Sequence, residues 1–237
     1  ARACPLARDG ERIDAMDSTY ITLTPENLAH EHLCCAIADK RHQQGVADKK
    51  TWLAARMPQG HVFRKLDARG KVFIEYAPLE QAWVPVEGPG YLYIHCLWVS
   101  GSYKGKGHGG ALLDSCIQEA RAQRCAGVCV LSADRKKPFL SEKGIFVKYG
   151  FEVVDTLPGG YELLALTLDG SKPRFADTAR AMRIPEEDLT IYHSPQCPYI
   201  ADCLRQVRAV CEREGIPLRL IPAESVAQAK ALPGVFN

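Results

Sequence analysis

Val99-Ser100-Gly101-Ser102-Tyr103-Lys104-Gly105-Lys106-Gly107-His108-Gly109-Gly110-Ala111-Leu112-Leu113 is the stretch on which the fold turns. Ahead of it, residues 91–99 (Tyr-Leu-Tyr-Ile-His-Cys-Leu-Trp-Val) are almost wholly apolar or aromatic, the composition of a buried strand. Behind it, the spacing predicts an amphipathic helix over 107–123. Between the two lies backbone with few side chains. Successive bare N–H groups at a helix start converge on one spot at the positive end of its dipole. Glycine is required there because a Cβ would hold a phosphate away from those groups. Lys104 and Lys106 add positive charge at the mouth. The segment reads as a pyrophosphate cradle.

Familiar phosphate loops fit it less well. A Walker loop needs Gly-Lys followed by Ser or Thr, whereas Gly105-Lys106 is followed by Gly107. The dinucleotide fingerprint can be laid on Gly105 to Gly110, but no acidic residue ends a second parallel strand about 20 residues on. A glycine-rich surface turn is the plain alternative.

Working outward, strands are predicted over 20–24, 61–65, 71–76, 127–132, 151–157 and 161–168, and helices over 24–38, 48–57 and 137–148. Thr24-Pro25-Glu26 supplies cap, first-turn proline and acid for the first helix, and Asp67-Ala68-Arg69-Gly70 supplies a hairpin turn. Residues 169–188 are polar and read as a linker. From Leu189 the pattern restarts as βαβα. The expected organisation is a larger unit over 1–168, a linker over 169–188 and a smaller unit over 189–237.

Composition narrows the class. The 237 residues are 46% hydrophobic and 24% charged, as in an ordinary globular protein, with a net charge of +2 that gives no nucleic-acid footprint. No run reaches the ~18 apolar residues of a membrane span, and no signal peptide is recognisable. Ten cysteines are about 4% of the chain, too sparse and irregular for a disulfide scaffold. Without a CxxC pair, no zinc site or other metal is expected, and reduced thiols in the cytoplasm fit best. Neither nucleic acid nor membrane is expected as a partner.

The loop resembles the signature of the GNAT acetyltransferase superfamily: a strand closing on valine, four residues, then Arg/Gln-x-x-Gly-x-Gly/Ala opening a helix. Val99, residues 100–103 and Lys104-Gly105-Lys106-Gly107-His108-Gly109 follow that order, with Lys104 in place of Arg or Gln. Phe146-Val147-Lys148-Tyr149-Gly150-Phe151 matches the family's helix-ending Gly-Phe step. The resemblance covers about 150 residues and implies an α/β (α+β) GNAT fold, a mixed and mostly antiparallel sheet flanked by helices. It implies acetyl-CoA as co-substrate, with its pyrophosphate on Lys104, Gly105, Lys106, Gly107, His108, Gly109 and Gly110. The pantetheine arm would run along Leu97, Trp98 and Val99, with Ser132 and Phe146 bordering the same site.

Acyl transfer from a thioester needs a base for the acceptor, an oxyanion donor and an acid for the thiolate. The tyrosine that serves many family members as acid is replaced by Phe146, and Tyr149 is expected on another face of the helix. The family's base position is His95, whose imidazole could take a proton directly or through water. Glu75, in the third strand, is a second candidate. Cys96 is expected in the core. His30, Glu31, His32, Cys34 and Cys35 form a cluster that reads as a polar helix face, a substrate wall or an opportunistic metal site. The basic run 132–140 is expected to border both the adenosine end and the acceptor cleft.

The second unit places Ser194-Pro195-Gln196-Cys197-Pro198 between a strand and a helix. It resembles the first half of a thioredoxin-like fold, and the whole chain resembles GNAT proteins with a YoaP-type C-terminal domain, a unit expected to be incomplete here. Cys197 is the reactive thiol candidate, its pKa expected to fall at the helix start. Ile200 stands where a dithiol partner would be. The expected activity is transfer of an acetyl group to an amine of a small molecule or peptide. The alternatives are a non-catalytic, thiol-responsive acyl-CoA sensor and a thiol oxidoreductase.

Overall fold

A computed structural model describes residues 19–36 and 40–235. In chain order the elements are β1 (Tyr20–Thr22), α1 (Gln43–Arg56), β2 (Val62–Leu66), β3 (Val72–Pro78), β4 (Val86–Glu87), β5 (Tyr91–Val99), α2 (His108–Ala122), β6 (Gly127–Ala133), α3 (Lys143–Lys148), β7 (Glu152–Leu157) and β8 (Tyr161–Thr167). There follow β9 (Arg174–Phe175), α4 (Asp177–Ala181), β10 (Leu189–His193), α5 (Ile200–Glu214), β11 (Leu218–Pro222) and α6 (Val226–Lys230).

Seven strands form one sheet in the order β1-β2-β3-β5-β6-β8-β7. Every neighbouring pair is antiparallel except β5 and β6, which α2 joins as a crossover helix. Alternation divides the core. Val72, Ile74, Leu92, Ile94, Val128 and Val130 face α2 and bury Leu112, Leu113 and Cys116. On the opposite side of the sheet, Phe63 and Phe73 stack 4.9 Å apart in a cluster with Trp52, Leu53 and Trp83. The expected mixed, mostly antiparallel sheet flanked by helices is therefore present.

Two interruptions position the site. Pairing of β5 with β6 runs from Tyr91↔Gly127 to Ile94↔Val130 and stops. Yet β5 stays paired to β3 out to Val99, and β6 to β8 out to Ala133. The two strands therefore diverge into a wedge. At its apex the β3–β5 register shifts: Tyr76 pairs with Ile94 but Glu75 with Cys96, so His95 is the extra residue of a bulge. A bulge re-aims the side chains that follow it.

Several expected elements differ. No regular helix forms over 24–36. Thr24 N–H donates to Asn27 Oδ1 (2.8 Å) and Leu28 N–H to the Thr24 carbonyl (2.9 Å), one capped turn, and Cys34 then takes a φ of 60°. Leu28 and Leu33 are buried at a spacing of five that no single helix face provides. Residues 37 and 38 of the expected helix lie outside the described residues. The helix expected over 137–148 starts only at Lys143, because Pro138 and Phe139 (φ 63°) keep the chain out of helical geometry. The stretch read as a linker carries β9, antiparallel to β4, with Phe175 fully buried.

β10 and β11 pair in parallel around α5, giving the expected βαβα unit. It packs against α1: a Cβ on Gly45 would overlap the Pro198 carbonyl, and the His42 and Tyr199 rings lie 4.4 Å apart edge to face. Gln196 Nε2 donates to the Trp83 carbonyl (3.1 Å), and Lys230 Nζ donates to the carbonyls of Leu79 (2.8 Å) and Val86 (3.0 Å).

Candidate active site

Local backbone builds the cradle. Gly101, Gly105 and Gly107 have φ of 62°, 77° and 84°, and Gly107 caps α2. A Cβ on any of the three would meet nothing within 4 Å, so the space in front of this backbone is open. Gly109 and Gly110 serve packing instead: their Cβ positions would lie 3.1 Å from Ile145 Cδ1 and 2.5 Å from Tyr149 Oη. His108 turns its ring aside, with Nδ1 2.7 Å from the Tyr20 hydroxyl, and leaves only its backbone toward the cradle. Lys104 and Lys106 are exposed at the mouth.

Leu97 and Val99 pack on the α2 side of the sheet, half-buried, while Trp98 is 44% exposed. Facing them across the wedge, Ser132 is buried and donates to the Ser141 carbonyl (2.9 Å), which holds the loop after β6 close to its strand. A cavity of about 300 Å³ is lined there by Ser132, Arg135, Lys136, Lys137 and Lys143 together with Asp134 and Glu142. Lys136 is paired with Glu142 (2.9 Å) and Lys143 with Glu162 (2.7 Å), so the surplus positive charge of its walls rests on Arg135 and Lys137.

Phe146 is fully buried against Phe151 (centroids 5.4 Å apart) and belongs to the core beneath the site rather than to its lining. Its apolar ring faces α2 because positions 146 and 151 close the helix onto the sheet. Tyr149 is placed over the first turn of α2, with its hydroxyl donating to Asp114 Oδ2 at 3.2 Å.

The base candidates sit side by side in different environments. His95 is buried, and burial followed by the nearby His61, Lys49 and Lys230 pushes its pKa well below the ordinary histidine value. Its ring stacks on His61 at 5.2 Å and meets Tyr93 edge to face at 5.0 Å. Glu75 is held by Lys49 Nζ at 2.6 and 2.7 Å through both carboxylate oxygens. Cys96 is half-buried against the cluster on the α1 side of the sheet, and burial raises its thiol pKa.

Cys197 is corrected by the structure. Helix α5 begins only at Ile200, and burial raises the thiol pKa instead of the helix start lowering it. Of the histidine cluster, Glu31 Oε2 accepts from Lys65 Nζ (2.9 Å) and His32 Nε2 lies 3.0 Å from the Gly70 carbonyl. Among the described residues no group of three or more metal-ligating side chains comes together.

Sequence reading missed Lys49, Trp52, Arg56, His61 and Trp83. A signal existed: Gly45, Lys49, Trp52 and Leu53 are buried on α1 at i, i+4, i+7 and i+8, so one stripe carries a lysine into the core. A buried lysine requires an anionic partner.

Residues 26–140 match the acetyltransferase (GNAT) family. The chain is 39% identical over 220 residues to a protein named "Uncharacterized N-acetyltransferase YoaP" of Bacillus subtilis (strain 168), covering 92% of this chain and 88% of that one. It is 32% identical over 114 residues to an L-methionine sulfoximine/L-methionine sulfone acetyltransferase of Pseudomonas paraeruginosa, covering 48% and 63%. A crystal structure of PaiA N-acetyltransferase from Thermoplasma acidophilum with coenzyme A aligns over 63% of this chain and 99% of that one, at 15% identity and a TM-score of 0.44. No helix among the described residues is long and apolar enough to cross a membrane.

Proposed function

The chain belongs to the GNAT acetyltransferase family, and from that premise we propose that it transfers the acetyl group of acetyl-CoA to the amine of a small molecule or peptide. One observation carries the reading. The β5–β6 pairing ends at Ile94↔Val130, directly below a cradle whose glycines leave open space before the N-terminus of α2. In this reading the pyrophosphate lies on the 104–110 backbone, whose N–H groups and dipole favour a dianionic bridge. The pantetheine arm takes up the hydrogen-bonding edge of β5 from Leu97 to Val99, which β6 has vacated. Arg135 and Lys137 add charge for the remaining phosphate.

The thioester carbonyl then lies at the wedge apex beside His95. The amine attacks the carbonyl carbon, its nitrogen becomes cationic, and that nitrogen's proton is acidic enough for a weak base to remove. A neutral imidazole held below its usual pKa is such a base. Glu75, bound through both oxygens to Lys49, is assigned to holding α1 on β3. The departing thiolate, of ordinary pKa about 8.5, leaves without a dedicated acid, in keeping with Phe146 at the family's tyrosine position. We assign 1–168 as the catalytic unit, 169–188 as a packed tether and 189–237 as the unit closing the acceptor side. The relative named for methionine derivatives favours a small acceptor over a protein.

Calorimetric titration with acetyl-CoA tests the reading, with Gly107→Glu as control. Binding to the wild type and none to the variant is expected. Equal binding by both removes the cradle from the argument, and no binding at millimolar ligand removes acetyl-CoA.

A further inference from the structure

Beside the wedge apex lies a set of buried N–H groups that no residue satisfies. Trp52 Nε1, Trp83 Nε1 and Arg56 Nε have no hydrogen-bond partner among the described residues, and beside them stands the neutral His61, whose Nε2 donates to the Gln81 carbonyl (3.3 Å). They are mutual neighbours: the Trp52 ring is 5.6 Å from Trp83 and 5.1 Å from His61, and the Arg56 guanidinium lies 5.5 Å over Trp83. Trp52 and Trp83 are 7% and 4% exposed, so bulk water does not serve their N–H groups. A buried unpaired donor is costly, and native proteins rarely tolerate one, let alone a cluster.

The chemistry of the missing partner follows from the donors. Indole and guanidinium nitrogens only donate, so what they lack is an acceptor. The charge balance makes that acceptor negative. Arg56 has no ion-pair partner among the described residues, whereas the neighbouring Lys49 is neutralised by Glu75. The cluster reaches the reaction centre through His61, which stacks on His95, the first residue of β5 beyond its last pair with β6. On the other side, Gln196 is anchored through Nε2 to the Trp83 carbonyl, and its Oε1 is a buried acceptor without a donor. An acceptor-lacking cluster and a donor-lacking amide therefore stand next to each other, complementary to a carboxylate and an ammonium group.

Resting on the transferase reading above, we infer that Trp52, Arg56 and Trp83 form a carboxylate-binding subsite, and that the acetyl acceptor is a small amine carrying its own carboxylate, of the free amino acid class. Gln196, from the C-terminal unit, receives the amine side of that molecule. This gives the unit a direct part in acceptor choice. Peptide amines without a nearby carboxylate and polyamines fit the subsite poorly, because they leave the donors unpaired or bring like charge to Arg56.

The three tryptophans of the chain make the test direct. Indole N–H signals of the ¹⁵N-tryptophan-labelled full chain are assigned with single Trp→Phe variants and titrated with acetate against acetamide, and with L-methionine sulfone against its carboxamide. The Trp52 and Trp83 signals are expected to move with the acids at about tenfold lower concentration than with the amides, while exposed Trp98 stays in place. Arg56→Gln should erase the preference for the acid. Signals that stay fixed up to molar acetate, or that respond alike to acid and amide, overturn the subsite. Acetyl-CoA added to the same sample reports separately on the parent reading: failure to bind it removes that reading whatever the indoles do. Release of CoA with polyamines or capped peptides, and none with free amino acids, would leave the transferase intact and refute the acceptor class.

Discussion

Replacing Lys49 by methionine keeps an unbranched apolar stem on α1 but leaves Glu75 charged, 4% exposed and without its partner. Nζ of Lys49 sits 2.6 and 2.7 Å from the two carboxylate oxygens, so both lone-pair sets lose their donor at once. Breaking one side of a buried pair costs about 3–5 kcal/mol, because the remaining charge stays desolvated. Replacing both partners, Lys49→Met with Glu75→Leu, fills the same space with apolar atoms and is expected to cost less than about 1 kcal/mol. A loss of about 4 kcal/mol lowers a urea midpoint by more than about 1 M at ordinary slopes of 1–3 kcal/mol per M. Trp52 reports locally, since Lys49 Nζ lies 5.0 Å over its ring. Intrinsic fluorescence in urea for the two single variants and the double variant completes the cycle. Single variants within about 1 kcal/mol of wild type, or a double variant costing the sum of the singles, would refute the buried-pair account. The folded double variant also decides the base: retained acetyl transfer leaves the proton to His95, and its loss returns the role to Glu75.

Phe146→Ala should cost about 3–5 kcal/mol of stability in thermal unfolding while leaving the KM for acetyl-CoA unchanged. A raised KM in the folded variant would put the ring back in the site. Burial holds the pKa of His61 down to about 3 and that of His95 well below 6.5. Each binds a proton more readily when unfolded, so their contribution is whole above about pH 6.5 and drains away as pH falls toward the folded values. His61 alone should remove about 2 kcal/mol between pH 6.5 and 5, and denaturant midpoints in that window for wild type and His61→Phe check it. A midpoint that is flat with pH in the wild type contradicts the burial. Gly45→Ala places a methyl group on the Pro198 carbonyl, and about 1–3 kcal/mol of destabilisation is expected. Limited proteolysis should then cut the C-terminal unit first, and unchanged resistance would mean that α1 and the unit adjust freely.

The parts of this molecule that were legible in sequence are those fixed by local backbone demands. The strand 91–99, the glycines at 105 and 107 and the helix after them are set within twenty residues, and the structure gives each nearly as expected. The first helix failed for the same kind of reason. Thr24, Pro25 and Asn27 form a real cap, but a cap is one turn of information, and Leu28 and Leu33 follow the sheet surface instead. Lys49 with Glu75, and Trp52 with Trp83, were invisible because their partners lie 26 and 31 positions apart and meet only once α1 docks on β3. Cys197 was misjudged because proximity to a helix start is local, whereas its burial is not.

The fork between β5 and β6 divides the seven-stranded sheet into a four-strand leaf and a three-strand leaf sewn along four residue pairs. Beyond those four pairs the leaves share no strand–strand hydrogen bonds across the fork among the described residues, and a molecule lodged there bridges them as a splint. For the thioester ligand proposed above, a hundredfold excess over its Kd adds about 2.7 kcal/mol to the resistance of the whole fold. On that reading the chain's resistance to proteolysis should rise with acetyl-CoA concentration, because only four residue pairs join the two leaves at the centre of the sheet.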